Sequence, residues 1–80
     1  MFHTIEFAVD FTVDMEVSRK KPLERVCMQK GTRRRAQLHP YITETTKGPI
    51  EVADIFFEDG STIRMVPYAW FSFLDIASPN

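Results

Sequence analysis

The most constraining feature of this 80-residue chain is the alternation of apolar and polar side chains between residues 5 and 17. The apolar positions carry Ile, Phe, Val and Met, and polar residues fill the places between them, except at Ala8. A period of two, rich in β-branched and aromatic types, indicates a strand with one buried face, whereas a helix would spread these side chains around its circumference. The segment is therefore predicted to be a strand.

The length of this predicted strand limits how it fits into a small domain. Its thirteen residues would span roughly 43 Å, whereas a domain of this size has a radius of gyration of about 12 Å. Two arrangements remain open. Either the strand bends sharply and serves two parts of a small barrel, or it overhangs and pairs with another chain.

A hairpin forms the second recognisable unit. Residues 50–57 and 61–66 are rich in apolar and β-branched types, and Asp59-Gly60 between them is a favoured two-residue turn. With that turn, Phe56 would face Ile63. Apolar residues fall on both faces, which predicts a central position in a sheet.

The chain after this hairpin is predicted to be short and irregular. Pro67 ends the ladder because it has no amide hydrogen to donate. Residues 68–71 are predicted to form a tight turn, 72–74 a short closing strand, and 77–80 a fraying end.

The middle of the chain allows two interpretations. Pro22, Glu24 and Gly31 occupy positions typical of the start and end of a short helix over 22–30. The rival is a hairpin with Lys30-Gly31 at its tip, followed by an extended segment over 33–46 and a turn at 47–49. Strands are favoured throughout, because threonines and alternating apolar residues follow the tip.

Together these elements predict an all-β fold in a single domain, 1–80. The expected architecture is a small antiparallel barrel or half-open sheet of five to six strands, of the SH3-like or OB-like kind. The alternative is an α+β fold with one short helix near 22–30.

Composition excludes several classes of protein. The chain has one cysteine, Cys27, so it forms no intramolecular disulfide. The first residues lack the pattern of a signal peptide, and no apolar run approaches the roughly 20 residues that cross a bilayer. The expectation is a cytoplasmic protein without membrane contact.

Catalytic and metal-binding patterns are lacking as well. His3 and His39 have no nucleophile motif or glycine-rich phosphate loop beside them. Asp10 and Asp14 would lie roughly 13 Å apart on one strand face, too far to share an ion. The chain is therefore expected to be no enzyme, with no catalytic residue, no metal site, no cofactor and no small-molecule substrate.

Basic residues are concentrated in one segment. Eight of the ten Lys and Arg fall between positions 19 and 35, while the flanking segments are acidic. Clustered cations grip phosphates, and nearby aromatic rings stack on unpaired bases. The candidate binding residues are Arg19, Lys20, Lys21, Arg33, Arg34 and Arg35, with Tyr68 and Trp70 as aromatic contacts.

The same segment has two other interpretations. It is either a solvated face or the counterpart of the acidic first strand, within one chain or across a dimer. On a strand, Arg34 must point away from Arg33 and Arg35, so the arginines cannot form one patch. The favoured function is a small non-enzymatic interaction module that binds a protein or itself, with a homodimer expected. The alternative is nucleic-acid binding through residues 19–35.

Overall fold

Seven antiparallel strands form one sheet that curls into a half-open barrel. The structure, a computed structural model, describes residues 1–75. The strands are β1 (His3–Phe7), β2 (Phe11–Glu16), β3 (Glu24–Met28), β4 (Arg33–Thr45), β5 (Gly48–Phe57), β6 (Thr62–Pro67) and β7 (Phe71–Phe73). Their order in the sheet is β3-β2-β6-β5-β4-β1-β7. The predicted all-β class, a small barrel or half-open sheet, is confirmed, and the fraying predicted for 77–80 lies outside the described residues.

The long alternating segment bends, as the first of its two arrangements required. Residues 8–10 separate β1 from β2, and the two strands occupy distant places in the sheet order. β1 pairs with β4 and β7, whereas β2 pairs with β3 and β6. Five to six strands were predicted. Because the segment divides into two strands, residues 1–75 contain seven. The apolar face stays inward along both halves, where Ile5, Phe7 and Phe11 are buried.

Residues 22–30 do not form a helix, so the α+β alternative is wrong. Glu24–Met28 is β3, which pairs along its whole length with β2. The helical signals were local, and the ladder offered by β2 outweighed them. Gly31, with φ of +90°, turns the chain from β3 towards β4, and its N–H donates to the Phe7 carbonyl oxygen at 2.7 Å.

The predicted central hairpin is present, but its register is one residue from the prediction. Its loop has three residues, because Phe57 N–H donates to the Ser61 carbonyl oxygen. Asp59 Oδ1 stabilises this loop by accepting bonds from Ser61 N and Ser61 Oγ at 2.9 and 2.6 Å. The two-residue interpretation of Asp59-Gly60 was therefore wrong. As a result Ile63 pairs with Ile55 instead of Phe56, and both isoleucines are fully buried.

The longest strands, β4 and β5, form a hairpin that projects beyond its neighbours. β1 pairs with β4 only as far as Ala36, and β6 pairs with β5 only as far as Val52. Residues 42–51 consequently pair only with one another across the hairpin. Its turn is Thr46-Lys47, one residue before the predicted 47–49 turn, because Thr45 pairs with Gly48.

The last described residues close one side of the barrel. β6 ends at Pro67, and a single 3₁₀ turn spans Tyr68–Trp70. Both features match the sequence prediction. β7 begins one residue earlier than predicted and pairs with β1. Within residues 1–75, no helix has the length and apolar character needed to cross a membrane.

Candidate functional site

Each of the three consecutive arginines in β4 has an acidic neighbour. Arg34 is half-buried between the exposed Arg33 and Arg35, as expected for side chains that alternate across a sheet. The ion pairs are Arg33 Nε–Glu6 Oε1 at 3.5 Å, Arg34 Nη2–Asp59 Oδ2 at 3.3 Å and Arg35 Nε–Glu58 Oε2 at 3.3 Å. The triplet therefore divides between two faces, and its positive charge is offset within the chain.

The acidic first segment supplies part of this compensation. Besides Glu6, its Asp14 lies with Oδ1 3.5 Å from Arg25 Nε. Asp10 Oδ1 also contacts this segment, but through the backbone N–H of Lys30, which donates a hydrogen bond at 2.6 Å. The acidic row and the basic segment are thus in contact, although the sequence left internal pairing and external binding open.

Arg34 is the member of the triplet that packs against the core. Its guanidinium carbon lies 4.3 Å from the ring centroid of the buried Phe57. Hydrogen bonds from the Ser61 hydroxyl and N–H, with the charge of Arg34 added, hold the pKa of Asp59 below its ordinary value. An open cleft of about 360 Å³ lies among Arg33, Arg34, Arg35, Glu58 and Asp59. Its lining carries both signs of charge.

Arg34→Ala is expected to lower the free energy of unfolding by about 1 kcal/mol, because it removes a cation–π contact and uncovers Phe57. The matched control is Arg35→Ala, whose ion pair with Glu58 is exposed on both sides and is expected to contribute less than about 0.5 kcal/mol. Urea denaturation of both variants measures the difference. Equal losses would contradict a packing role for Arg34.

The other three basic candidates lie in the loop between β2 and β3. Arg19, Lys20 and Lys21 are exposed there, and none of them forms an ion pair within the described part of the chain. We call residues 17–23 the basic loop. Glu16, which precedes it, pairs with Thr62, so this loop and the β5–β6 loop emerge at the same end of the sheet.

The two aromatic candidates are partly buried. The Trp70 ring packs 4.8 Å from that of Phe11, and the Tyr68 ring 5.2 Å from that of Phe71, measured between centroids. Both side chains pack against the hydrophobic core. Burial, followed by the nearby charge of Glu51, raises the pKa of Tyr68. The rings of Tyr68 and Trp70 therefore contribute to core packing, whereas the cations of the basic loop are exposed.

A surface that the sequence did not reveal lies on the projecting β4–β5 hairpin. Its register puts five exposed side chains on one face, continuous with the core-facing side of the sheet. We call this surface the hairpin face, and its members are Pro40, Ile42, Glu44, Pro49 and Glu51. Ile42 is 67 % exposed. The available signal was the length of the predicted 33–46 strand, but exposure depends on where the neighbouring strands stop.

Both free edges of this hairpin carry a proline. Thr45 and Gly48 flank the two-residue turn and form a hydrogen-bonded pair, so the pairs of Pro40 and Pro49 are of the non-hydrogen-bonded kind. The backbone nitrogens of both prolines therefore point outward, away from the hairpin. Each removes a donor from an open edge, which hinders the addition of another strand. A binding partner is therefore expected to contact a face of the hairpin instead of its edges.

A hydrogen-bond cluster holds the base of the hairpin. The Asp54 carboxylate accepts bonds from Tyr41 Oη at 2.9 Å, Arg64 Nη1 at 3.0 Å and Met65 N at 3.1 Å. Burial raises the pKa of Asp54, but hydrogen bonds from Met65 N–H and Tyr41 outweigh it and leave the pKa below its ordinary value. Met65 lies at a bulge in β6 with φ of +57°. Asp54 therefore ties β4 and β6 to β5 where the hairpin leaves the sheet.

Comparison with protein-family models, with curated proteins and with solved structures finds no match for this chain. Residues 1–75 hold no group of three or more His, Cys, Asp or Glu arranged to bind a metal ion. The surface that remains for a functional interpretation combines an exposed isoleucine, two prolines and two carboxylates on a projecting hairpin.

Proposed function

We propose that this chain is a small non-enzymatic interaction module that contacts a protein partner through the hairpin face. The observation that carries the proposal is the exposure of Ile42 on a two-stranded hairpin that extends past the rest of the sheet. Apolar side chains at the centre of a polar rim are typical of protein contacts. The Asp54 cluster supports a fixed hairpin orientation, which lowers the entropic cost of binding.

The placement of the reactive side chains supports the non-enzymatic part of the proposal. Cys27 lies on edge strand β3, and His39 on β4, with β2, β6 and β5 between the two strands. A thiol and an imidazole so separated do not form a nucleophile–base pair. The exposed, unpaired thiol of Cys27 also supports a reducing compartment such as the cytoplasm.

Photo-crosslinking tests the proposed contact surface. A benzophenone amino acid is placed at Ile42 in one variant and at Ile50 in the control, and the cells that make the protein are irradiated. Ile50 is 39 % exposed and lies on the opposite face of the same hairpin. Position 42 is expected to give a discrete protein adduct, and position 50 is not. No adduct at 42, or equal adducts at both positions, would contradict the proposal.

Nucleic-acid binding through residues 19–35 is the second candidate. It is supported by the exposed Arg19, Lys20 and Lys21, whereas Arg33, Arg34 and Arg35 already have acidic neighbours. Fluorescence anisotropy with single- and double-stranded oligonucleotides at low salt tests it. Binding that weakens steeply with salt, and is lost in R19A/K20A/K21A, would support it. Binding that survives these changes would exclude this loop as the contact.

A further inference from the structure

We propose that the hairpin face binds the basic loop of a second copy of this chain, an inference that rests on the proposed function. The hairpin face presents two carboxylates, Glu44 and Glu51, beside exposed apolar side chains. The basic loop presents three cations beside the exposed Pro22 and Leu23, of which Leu23 is 60 % exposed. The two surfaces are therefore complementary in charge, and each adds an apolar contact.

The charges on both surfaces are unpaired within the described part of the chain. None of the ion pairs formed by residues 1–75 includes Glu44, Glu51 or a cation of the basic loop. Glu16 and Glu24, which flank the loop, form no ion pair with it in this part of the chain. The arginines of β4, by contrast, already contact Glu6, Glu58 and Asp59. Lys30 and Lys47 also form no ion pair within residues 1–75, but each stands singly. The basic loop is thus the cluster of cations left for an acidic partner.

Strand pairing places the two surfaces at opposite ends of the molecule. Glu16 pairs with Thr62, Thr62 with Phe56, and Phe56 with Gln37. From that level of the sheet, β4 continues towards the hairpin tip, while the chain after Glu16 leaves in the other direction as the basic loop. One copy cannot close this contact on itself. The contact therefore joins two copies: it closes a two-fold dimer when both contacts form reciprocally, and it builds a ring or an open chain when each copy binds a different neighbour at each end.

The prolines favour this mode over sheet extension. Pro40 and Pro49 remove outward donors from both open edges of the hairpin, so a second copy docks on the face instead of adding a strand. Charged contacts of this kind also weaken with added salt, because the surfaces are exposed. Association is therefore expected to rise with protein concentration and fall with ionic strength.

Charge exchange between the surfaces tests the proposal by sedimentation velocity. E44K/E51K gives a chain with two basic surfaces, and R19E/K20E/K21E gives one with two acidic surfaces. Each variant alone is expected to associate about a hundred-fold or more weakly than the wild type. An equimolar mixture of the two is expected to recover association, because each contact then joins opposite charges. The control T12K/Q37K, altered at exposed positions outside both surfaces, is expected to associate like the wild type.

Circular dichroism melts confirm that each variant is folded before it is scored. A wild type that stays monomeric at every concentration, or a mixture that stays monomeric, would overturn association through these two surfaces. If crosslinks from position 42 then identify a different protein, the proposed function stands and the second-copy partner is wrong. If position 42 gives no adduct, both fail. Association that disappears on nuclease treatment also overturns the proposal and assigns the loop to nucleic acid.

Discussion

Phe7→Ala is expected to lower the free energy of unfolding by about 3–5 kcal/mol, a large part of the stability available to a chain of this length, about 4–12 kcal/mol. Phe7 is fully buried where β1 ends. Its ring lies edge-on to Phe11 and Phe57, with centroids 5.4 and 6.5 Å away. The substitution removes contacts between the two halves of the bent segment and the central hairpin. Urea denaturation measures the loss.

Two further variants keep this expectation testable if Phe7→Ala does not fold. Phe7→Leu retains most of the volume and is expected to cost about 1–1.5 kcal/mol. Phe73→Ala, in the edge strand β7, removes a half-buried ring and is expected to cost roughly half as much as the fully buried one. A Phe7→Ala protein within 1 kcal/mol of the wild type would show that Phe7 does not join these elements.

Asp54→Ala is expected to lower the free energy of unfolding by about 2–3 kcal/mol, because the buried side of this carboxylate accepts three hydrogen bonds. It removes the acceptor shared by the Tyr41 hydroxyl, the Arg64 guanidinium and the Met65 N–H. Met65 is then left in the left-handed region without the bond that holds it. The midpoint temperature of thermal unfolding, Tm, is expected to fall by roughly 10–20 °C. Asp14→Ala, in an exposed ion pair, is the matched control and is expected to shift it little.

The pH dependence of Asp54→Ala gives this expectation a second readout. Because hydrogen bonds lower the pKa of Asp54 in the folded state, its stabilisation is present above the ordinary pKa of about 3.9. It is lost as the pH falls through the lower, folded-state value. The stability gap between wild type and Asp54→Ala should therefore narrow below about pH 4. A gap that stays constant from pH 7 to pH 2, or no gap at pH 7, would contradict this role.

The positions of the strands could be predicted from the sequence more readily than the order in which they pair in the sheet. Alternation between residues 5 and 17 carries its own evidence of a buried face, so the strand prediction and the bend were both accessible. The five residues of β3 carry little periodic signal, and only Met28 among them is buried. Whether Pro22, Glu24 and Gly31 mark a helix or a hairpin was decided by pairing with β2, which is not local information.

Turn chemistry explains the error in the central hairpin. Asp59-Gly60 satisfies the preference for a two-residue turn, yet Asp59 uses its side chain to bind Ser61. Gly60, with φ of +93°, then closes a three-residue loop. One extra loop residue moved Ile63 to the opposite face. The preferences for the two loops differ by too little for sequence alone to choose between them.

The candidate site was only partly accessible from the sequence. Pairing of the arginines with the acidic first segment was one of the alternatives raised, and Arg33–Glu6 fulfils it. The contributions of Glu58 and Asp59 depend on the loop register and were missed. The hairpin face was missed because Ile42 resembles any other inward residue of an alternating strand. Its exposure follows from β1 and β6 ending before β4 and β5 do.

The most direct test of self-association through the hairpin face is a dilution series followed by amide NMR of the ¹⁵N-labelled protein. Concentration-dependent shifts are expected at residues 40–51 and at the basic loop, 17–23, with the amides of Arg33, Arg34 and Arg35 unchanged. Spectra that do not change between micromolar and millimolar protein would contradict self-association. Shifts confined to the arginines of β4 would contradict the hairpin face itself.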